Sequence, residues 1–144
     1  MKISIETEIS APLASVWSSW VTPDDITSWN FATEEWFCPR AEVNLEAGGK
    51  FSYRMEAKDG SMDFDFAGTF TKVVTKEVIQ FDLEDNRTVT VEFIETASGV
   101  KVVETFDAED QNSAYQQKQG WQCILENFKQ HVESKNNYQG NARG

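Results

Sequence analysis

The sequence predicts an α+β fold, a curved antiparallel sheet with a long C-terminal helix laid across it. Three observations carry this. Between Gln111 and Ser134 there is no Pro, and Trp121, Ile124, Leu125, Phe128 and Val132 recur at i, i+3, i+4, i+7 and i+11, on one helical face that Ala114 and Gln117 extend. From Arg40 to Phe106 apolar and polar residues alternate in runs broken by turn residues, the pattern of hairpin-linked strands. The element order is strand, two short helices, six strands, helix, which segregates the helices to one face of the sheet. At 1.5 Å per residue the last helix spans roughly 36 Å, about the width of a small domain.

The elements follow in order. Lys2 to Ile9 alternates Ile3, Ile5, Thr7 and Ile9 against polar neighbours and reads as a strand. Pro12 suits a helix's first turn, and Leu13, Val16, Trp17 and Trp20 then take helical spacing. Thr22-Pro23-Asp24-Asp25 reads as a second start: a capping Thr, a Pro at the first position, and acids that the helix dipole favours. That helix is expected to end before Ser28-Trp29-Asn30. Phe31 to Pro39 reads as an aromatic loop carrying Trp36 and Phe37, and the sheet is expected to resume at Arg40. Gly48-Gly49 marks a bulge or tight turn, and Asp59-Gly60 a hairpin. Phe51, Tyr53 and Met55 alternate before that hairpin; Met62, Phe64, Phe66, Gly68 and Phe70 alternate after it. Gly68 in mid-strand suggests a bend or a close backbone approach. Three further strands fall near Glu77–Leu83, Thr88–Glu95 and Val100–Phe106. The reading is one domain over residues 1–134, followed by a flexible polar tail over 135–144.

Composition narrows the function. A chain of 144 residues buries enough surface to fold without staples. The net charge of −11, with scattered basic residues, repels phosphate backbones, so nucleic acid is excluded as a partner. There is no apolar run of membrane-span length and no signal-peptide pattern. Cys38 and Cys123 lie far apart, and a reduced, cytoplasmic location is expected.

Catalytic constellations are thin. The one histidine, His131, reads as a solvent-flanked helix residue rather than a triad member. No Cys/His spacing suggests zinc. The run from Asp82 to Phe93 fails as a calcium loop, because Arg87 and Phe93 stand where Gly and a bidentate Glu are needed. No metal or cofactor is expected. Asp63 and Asp65 are the best carboxylate pair, but they share the face opposite Phe64 and Phe66 and read as an outer, solvated face.

Several stretches resemble one family when taken in order: Ala11-Pro12 with Val16-Trp17, Trp29-Asn30, Gly48-Gly49-Lys50-Phe51, Lys58-Asp59-Gly60-Ser61, Asp65-Phe66-Ala67-Gly68-Thr69-Phe70, and Gly120 through Phe128. The chain resembles the bacterial homologues of the heat-shock-protein-90 ATPase activator, within the START/Bet v 1-like (SRPBCC) superfamily. The resemblance covers residues 1 to about 134. It implies the helix-grip fold, β-α-α-β6-α, with a cavity between sheet and long helix in which many relatives hold lipids, polyketide-like aromatics or other apolar compounds.

The leading expectation is therefore binding of an apolar or aromatic small molecule, lipid- or polyketide-like, and more a binder than an enzyme. The expected lining is Trp29, Asn30 and Trp36 from the helical end; Tyr53, Met55, Phe64, Phe66, Phe81, Val91 and Phe93 from the strands; and Gln117, Trp121 and Leu125 from the long helix. Trp121 beside Gly120 is the expected reporter of ligand entry, with Gln117 as its polar handle. The alternatives are a cyclase- or dehydratase-type enzyme in the same cavity, and an interaction module with a chaperone partner in a stress response.

Overall fold

The computed structural model describes the backbone of residues 1–143 and the side chains of residues 1–136. Seven strands form one antiparallel sheet: β1 (Lys2–Ile9), β2 (Trp36–Val43), β3 (Lys50–Ala57), β4 (Asp63–Val74), β5 (Val78–Leu83), β6 (Thr88–Thr96) and β7 (Gly99–Asp107). Their order is β1-β7-β6-β5-β4-β3-β2. Every neighbour from β2 to β7 is sequential, and β1 returns to pair with β7, with Ile3 opposite Phe106 and Ile9 opposite Val100. Helices α1 (Leu13–Val21) and α2 (Pro23–Trp29) close one end, and α3 (Ala114–Arg143) lies across the concave face. This is the helix-grip arrangement. Among the described residues no helix is long and apolar enough to cross a membrane.

The alternation expected from sequence sets the faces. Phe51, Tyr53 and Met55 of β3, Phe70 of β4, Phe81 of β5, Val89 and Val91 of β6, and Val100, Val102 and Phe106 of β7 all point inward and are buried. Asp63 and Asp65 lie on the outer side with Arg54, whose guanidinium pairs with both at 3.2 and 3.5 Å. Positive φ occurs at Lys76 and Asn86, in the turns after β4 and β5, and at two glycines. Gly48 and Gly60 adopt φ of +86° and +79°, which a side chain resists. Gly68 stands where a Cβ would lie 2.5 Å from the Asp82 carbonyl and 2.9 Å from the Phe51 ring, so β4 passes its neighbours closely there.

Four boundaries differ from the sequence expectation. The sheet resumes at Trp36, not Arg40, so Trp36 to Pro39 is strand and not loop. The register shifts between Phe37 and Arg40, which leaves Cys38-Pro39 outside the ladder. Pro39 lacks an N–H, and only an edge strand such as β2 tolerates that at a bulge. Helix α2 retains Ser28 and Trp29, because Trp29 turns inward and donates its indole N–H to the Ser19 carbonyl at 2.9 Å. Thr22 occupies the cap of α2 but makes no side-chain capping bond; Pro23 at the first helical position has no N–H to satisfy. Helix α3 starts at Ala114 behind a reciprocal cap. The Ser113 hydroxyl accepts from the Gln116 amide at 3.1 Å, and the Gln116 side chain accepts from the Ser113 amide at 3.3 Å. The backbone of α3 continues past Ser134 to Arg143. The expectation of a flexible tail over 135–144 falls mostly outside the described side chains.

Helix α3 is fastened at several heights. Gln122 Nε2 donates to the Glu6 carbonyl at 3.1 Å, and Asn127 Nδ2 to the Phe31 carbonyl at 2.9 Å. The Glu133 carboxylate accepts from the Ser10 amide at 2.9 Å. His131 is not merely solvent-flanked: it meets Asp25 Oδ1 at 2.9 Å, and Lys135 reaches the same oxygen at 3.0 Å, tying α3 to α2.

Candidate functional site: an aromatic cavity around one buried carboxyl

A cavity of about 220 Å³ lies between the sheet and the first half of α3. Strands β3 and β4 supply Tyr53, Met55, Phe64 and Phe66; β5 supplies Phe81 and β7 Glu104. The helices contribute Trp20, Trp29, Trp121 and Ile124, with Asn30 at the C-terminal cap of α2. Phe64 is 45% exposed and stands at the mouth. A wider depression of about 620 Å³ on the outer side is rimmed by Glu42, Lys50, Asp65, Asp82 and Glu84. It is somewhat more open, and charged side chains share its lining with Phe51 and Leu83.

The walls are held by ring-on-ring packing. Trp121 stacks on Phe106, with centroids 4.0 Å apart and planes 11° from parallel, and meets Phe66 edge-on at 6.1 Å. Phe51 sits behind the sheet-side wall, 5.0 Å from Tyr53 and 4.8 Å from Phe81. Such contacts fix ring orientation beyond simple burial.

Three polar groups interrupt this surface. Asn30 is buried; its Nδ2 contacts Met55 Sδ at 3.4 Å. Burial pushes the neighbouring Cys38 thiol up, partly offset by its hydrogen bond with Asn30. Burial likewise pushes the Tyr53 phenol above its usual range, with Cys38 and Glu104 adding to the shift. The third group is Glu104. It is 7% exposed and points inward from β7, where alternation gives Val100, Val102 and Phe106. Its cross-strand neighbours are Ile5 and Val91. No Lys, Arg or His lines the cavity. Burial alone, unrelieved by a neighbouring charge or hydrogen bond, pushes the Glu104 carboxyl from 4.5 up to about 8. A carboxyl held near neutrality can donate a proton, accept one, or pair with a cation that enters.

Of the lining residues expected from sequence, the structure brings Trp29, Asn30, Tyr53, Met55, Phe64, Phe66, Phe81 and Trp121 together. The others lie elsewhere. Trp36 packs edge-on against Phe64, 5.7 Å away, outside the mouth. Val91 and Leu125 are sealed in the core. Phe93 is covered by α1, edge-on to Trp17 at 5.2 Å and Trp20 at 6.0 Å. Gln117 is buried, but its amide is spent on the loop before α3. Its oxygen accepts from the Glu109 amide at 2.8 Å, and its nitrogen donates to the Glu109 and Asn112 carbonyls at 3.0 and 2.8 Å. It offers no free handle to a ligand. Gly120 leaves open space at its own Cβ position, but that glycine is not part of the cavity wall. Sequence reasoning missed Trp20, Ile124 and Glu104. For Glu104 a signal existed: it occupies an inward register position in Val100-Lys101-Val102-Val103-Glu104-Thr105-Phe106.

The chain matches the family described as activator of Hsp90 ATPase homolog 1-like protein over residues 10–133. It is similar to the solution structure of the AHSA1-like protein from Aeromonas hydrophila, at 46% identity over 94% of each chain, with a TM-score of 0.89. A solution structure from Cytophaga hutchinsonii is 40% identical over 93% of each chain, with a TM-score of 0.81. A crystal structure from Nitrosomonas europaea shares the fold alone, at 17% identity and a TM-score of 0.81, over 94% of this chain and 96% of that one. The comparison with curated proteins gives no match. The family match spans most of the chain and agrees with the helix-grip fold, and the chain belongs to the activator of Hsp90 ATPase homolog 1-like family, of the Bet v 1/SRPBCC type.

Proposed function

We propose that this protein binds an apolar or aromatic small molecule in the cavity between the sheet and α3. The fold is generally a ligand-binding scaffold. The observation that carries the reading is a half-open cavity of about 220 Å³, walled by aromatic rings, with one buried carboxyl on its wall. Burial of apolar ligand surface drives association at roughly 25 cal/mol per Å², before the costs of immobilising both partners. The volume sets the size class. A dry protein cavity of about 150 Å³ accepts benzene. This cavity is half again as large, so it suits one- or two-ring compounds better than long-chain lipids or three-ring flavonoids.

The test is two-dimensional NMR of the labelled protein with phenol, naphthol, a flavonoid and a long-chain fatty acid. One- and two-ring probes are expected to shift Tyr53, Phe66, Trp121 and Ile124. Shifts confined to the outer sheet face, or none with any probe at millimolar concentration, sink the proposal. The Glu104 carboxyl also favours a second reading, an enzyme of cyclase or dehydratase type. A proton donor and acceptor poised near neutral pH is what such chemistry uses. Turnover that disappears in Glu104→Gln while binding persists decides for it.

A further inference from the structure

We infer that the cavity selects compounds whose one- or two-ring aromatic body carries a protonated amine, and that Glu104 is the residue that selects them. The inference rests on the binding reading above and names its ligand class.

The geometry has three parts. The Glu104 carboxyl is buried and lines the cavity, and among the described residues no Lys, Arg or His lines that cavity with it. Taking a carboxyl out of bulk water is costly, and one placed on an aromatic cavity wall calls for an explanation. Its neighbours in the sheet are apolar, Ile5 from β1, Val91 from β6, and Val102 and Phe106 along β7, and the cavity it shares with Trp121 is walled mostly by rings. The other polar lining groups, Tyr53 and Asn30, are neutral, so the cavity supplies no cation to the carboxylate. An entering ammonium supplies that charge.

The walls favour the same sign. Indole and phenyl faces carry negative potential and attract an ammonium group, most strongly where water is excluded. The net charge of −11 adds a long-range preference for cationic over anionic solutes. Charge balance is simple. Either the Glu104 proton leaves to solvent as an ammonium enters, or it moves onto the nitrogen of an amine that enters neutral. Both routes end in the same carboxylate–ammonium pair. A carbonyl-bearing ligand could instead accept from the protonated acid, but its neutral head gains no cation–π attraction from the ring faces.

Three indoles of similar size test this: tryptamine, its uncharged isostere propylindole, and the carbonyl-bearing acetylindole. Affinities are read by NMR titration of the intact protein at neutral pH. Tryptamine is expected to bind at least about tenfold tighter than propylindole, a difference of about 1.4 kcal/mol. Glu104→Gln is expected to bring the two within about twofold while propylindole binding persists. If the Gln variant does not fold, Glu104→Leu, which suits the apolar surroundings, takes its place. Equal affinities, acetylindole binding tightest, or a tryptamine preference that survives loss of the carboxyl each overturn the inference while leaving the binding proposal intact. If no indole perturbs the cavity residues, the binding proposal fails and this inference with it.

Discussion

The apolar face of α3 runs from Ala114 to Val132, but its two halves end differently. From Leu125 onward the face is sealed: Leu125, Phe128 and Val132 are at most 1% exposed. Phe128 lies edge-on to both Trp20 and Trp29, 4.9 Å from each. One turn earlier, Trp121 and Ile124 are half-buried and border the cavity. Residue type does not distinguish the halves, since both are aromatic and aliphatic. What differs is the third layer. Helices α1 and α2 close over the C-terminal half, and Asp25 holds His131 and Lys135 there. Over the N-terminal half those helices reach only the edge, where Trp20, Trp29 and Asn30 border the cavity. A void here arises where the covering helices thin out, not where aromatic residues are scarce.

The largest expected effect breaks that comparison most directly. Phe128→Ala removes a fully packed ring and is expected to cost about 3–5 kcal/mol. Trp121→Ala removes a larger side chain, yet one whose inner edge meets empty space, and is expected to cost only about 1–2 kcal/mol. Urea unfolding of both variants measures the difference. Equal costs would mean that the two halves are packed alike and that the cavity is not a property of the folded protein in solution.

Glu104 sharpens the contrast from the open half. Its carboxyl titrates near 4.5 when the chain is unfolded and holds its proton to about 8 when folded. Between those values the unfolded chain binds fewer protons, so stability falls as pH rises. The slope approaches about 1.4 kcal/mol per pH unit. Glu104→Gln lacks this contribution. It is expected to match wild type below pH 4.5 and to exceed it by on the order of 2–3 kcal/mol at pH 8, allowing for relaxation and water entering the cavity. Denaturant titrations across that range check it; parallel pH profiles for the two proteins would show that the carboxyl is solvated or already paired.

The same contrast explains what the sequence made legible. Alternation set the inward face of nearly every strand, because one face of this antiparallel sheet is buried and the other is wet. It put Phe66, Phe81, Val91 and Phe93 in the right phase. Phase does not say which helix covers a given position, so Val91 and Phe93, which lie in the sealed core, read the same as Phe66 and Phe81, which line the space. Trp20 was legible as a core helix residue, but its second neighbour, the cavity, depends on where α2 turns back. The strand from Trp36 was hidden by Pro39, whose missing N–H is harmless only at an edge that the sequence does not identify. Glu104 was legible in principle: a carboxyl in phase with Val100, Val102 and Phe106 breaks the alternation, and such breaks mark function more often than packing does.

Gln117 gives the smallest effect and the cleanest separation of stability from binding. It shares the helical face of Trp121, one turn before it, which makes it look like a polar group offered to a ligand. Its amide instead bridges Glu109, Asn112 and the start of α3. That loop carries the chain from β7 into the helix, so losing the bridge loosens the N-terminal end of α3 without touching the cavity wall. With several neutral hydrogen bonds at stake and water able to replace some of them, Gln117→Ala is expected to cost about 1–2 kcal/mol. Its amide shifts are expected at residues 109–113, and affinity for any cavity-binding probe is expected to stay within about twofold of wild type. A tenfold loss of affinity at unchanged stability would place this side chain in the open half after all, and would move the boundary between the two halves of α3 by a full turn.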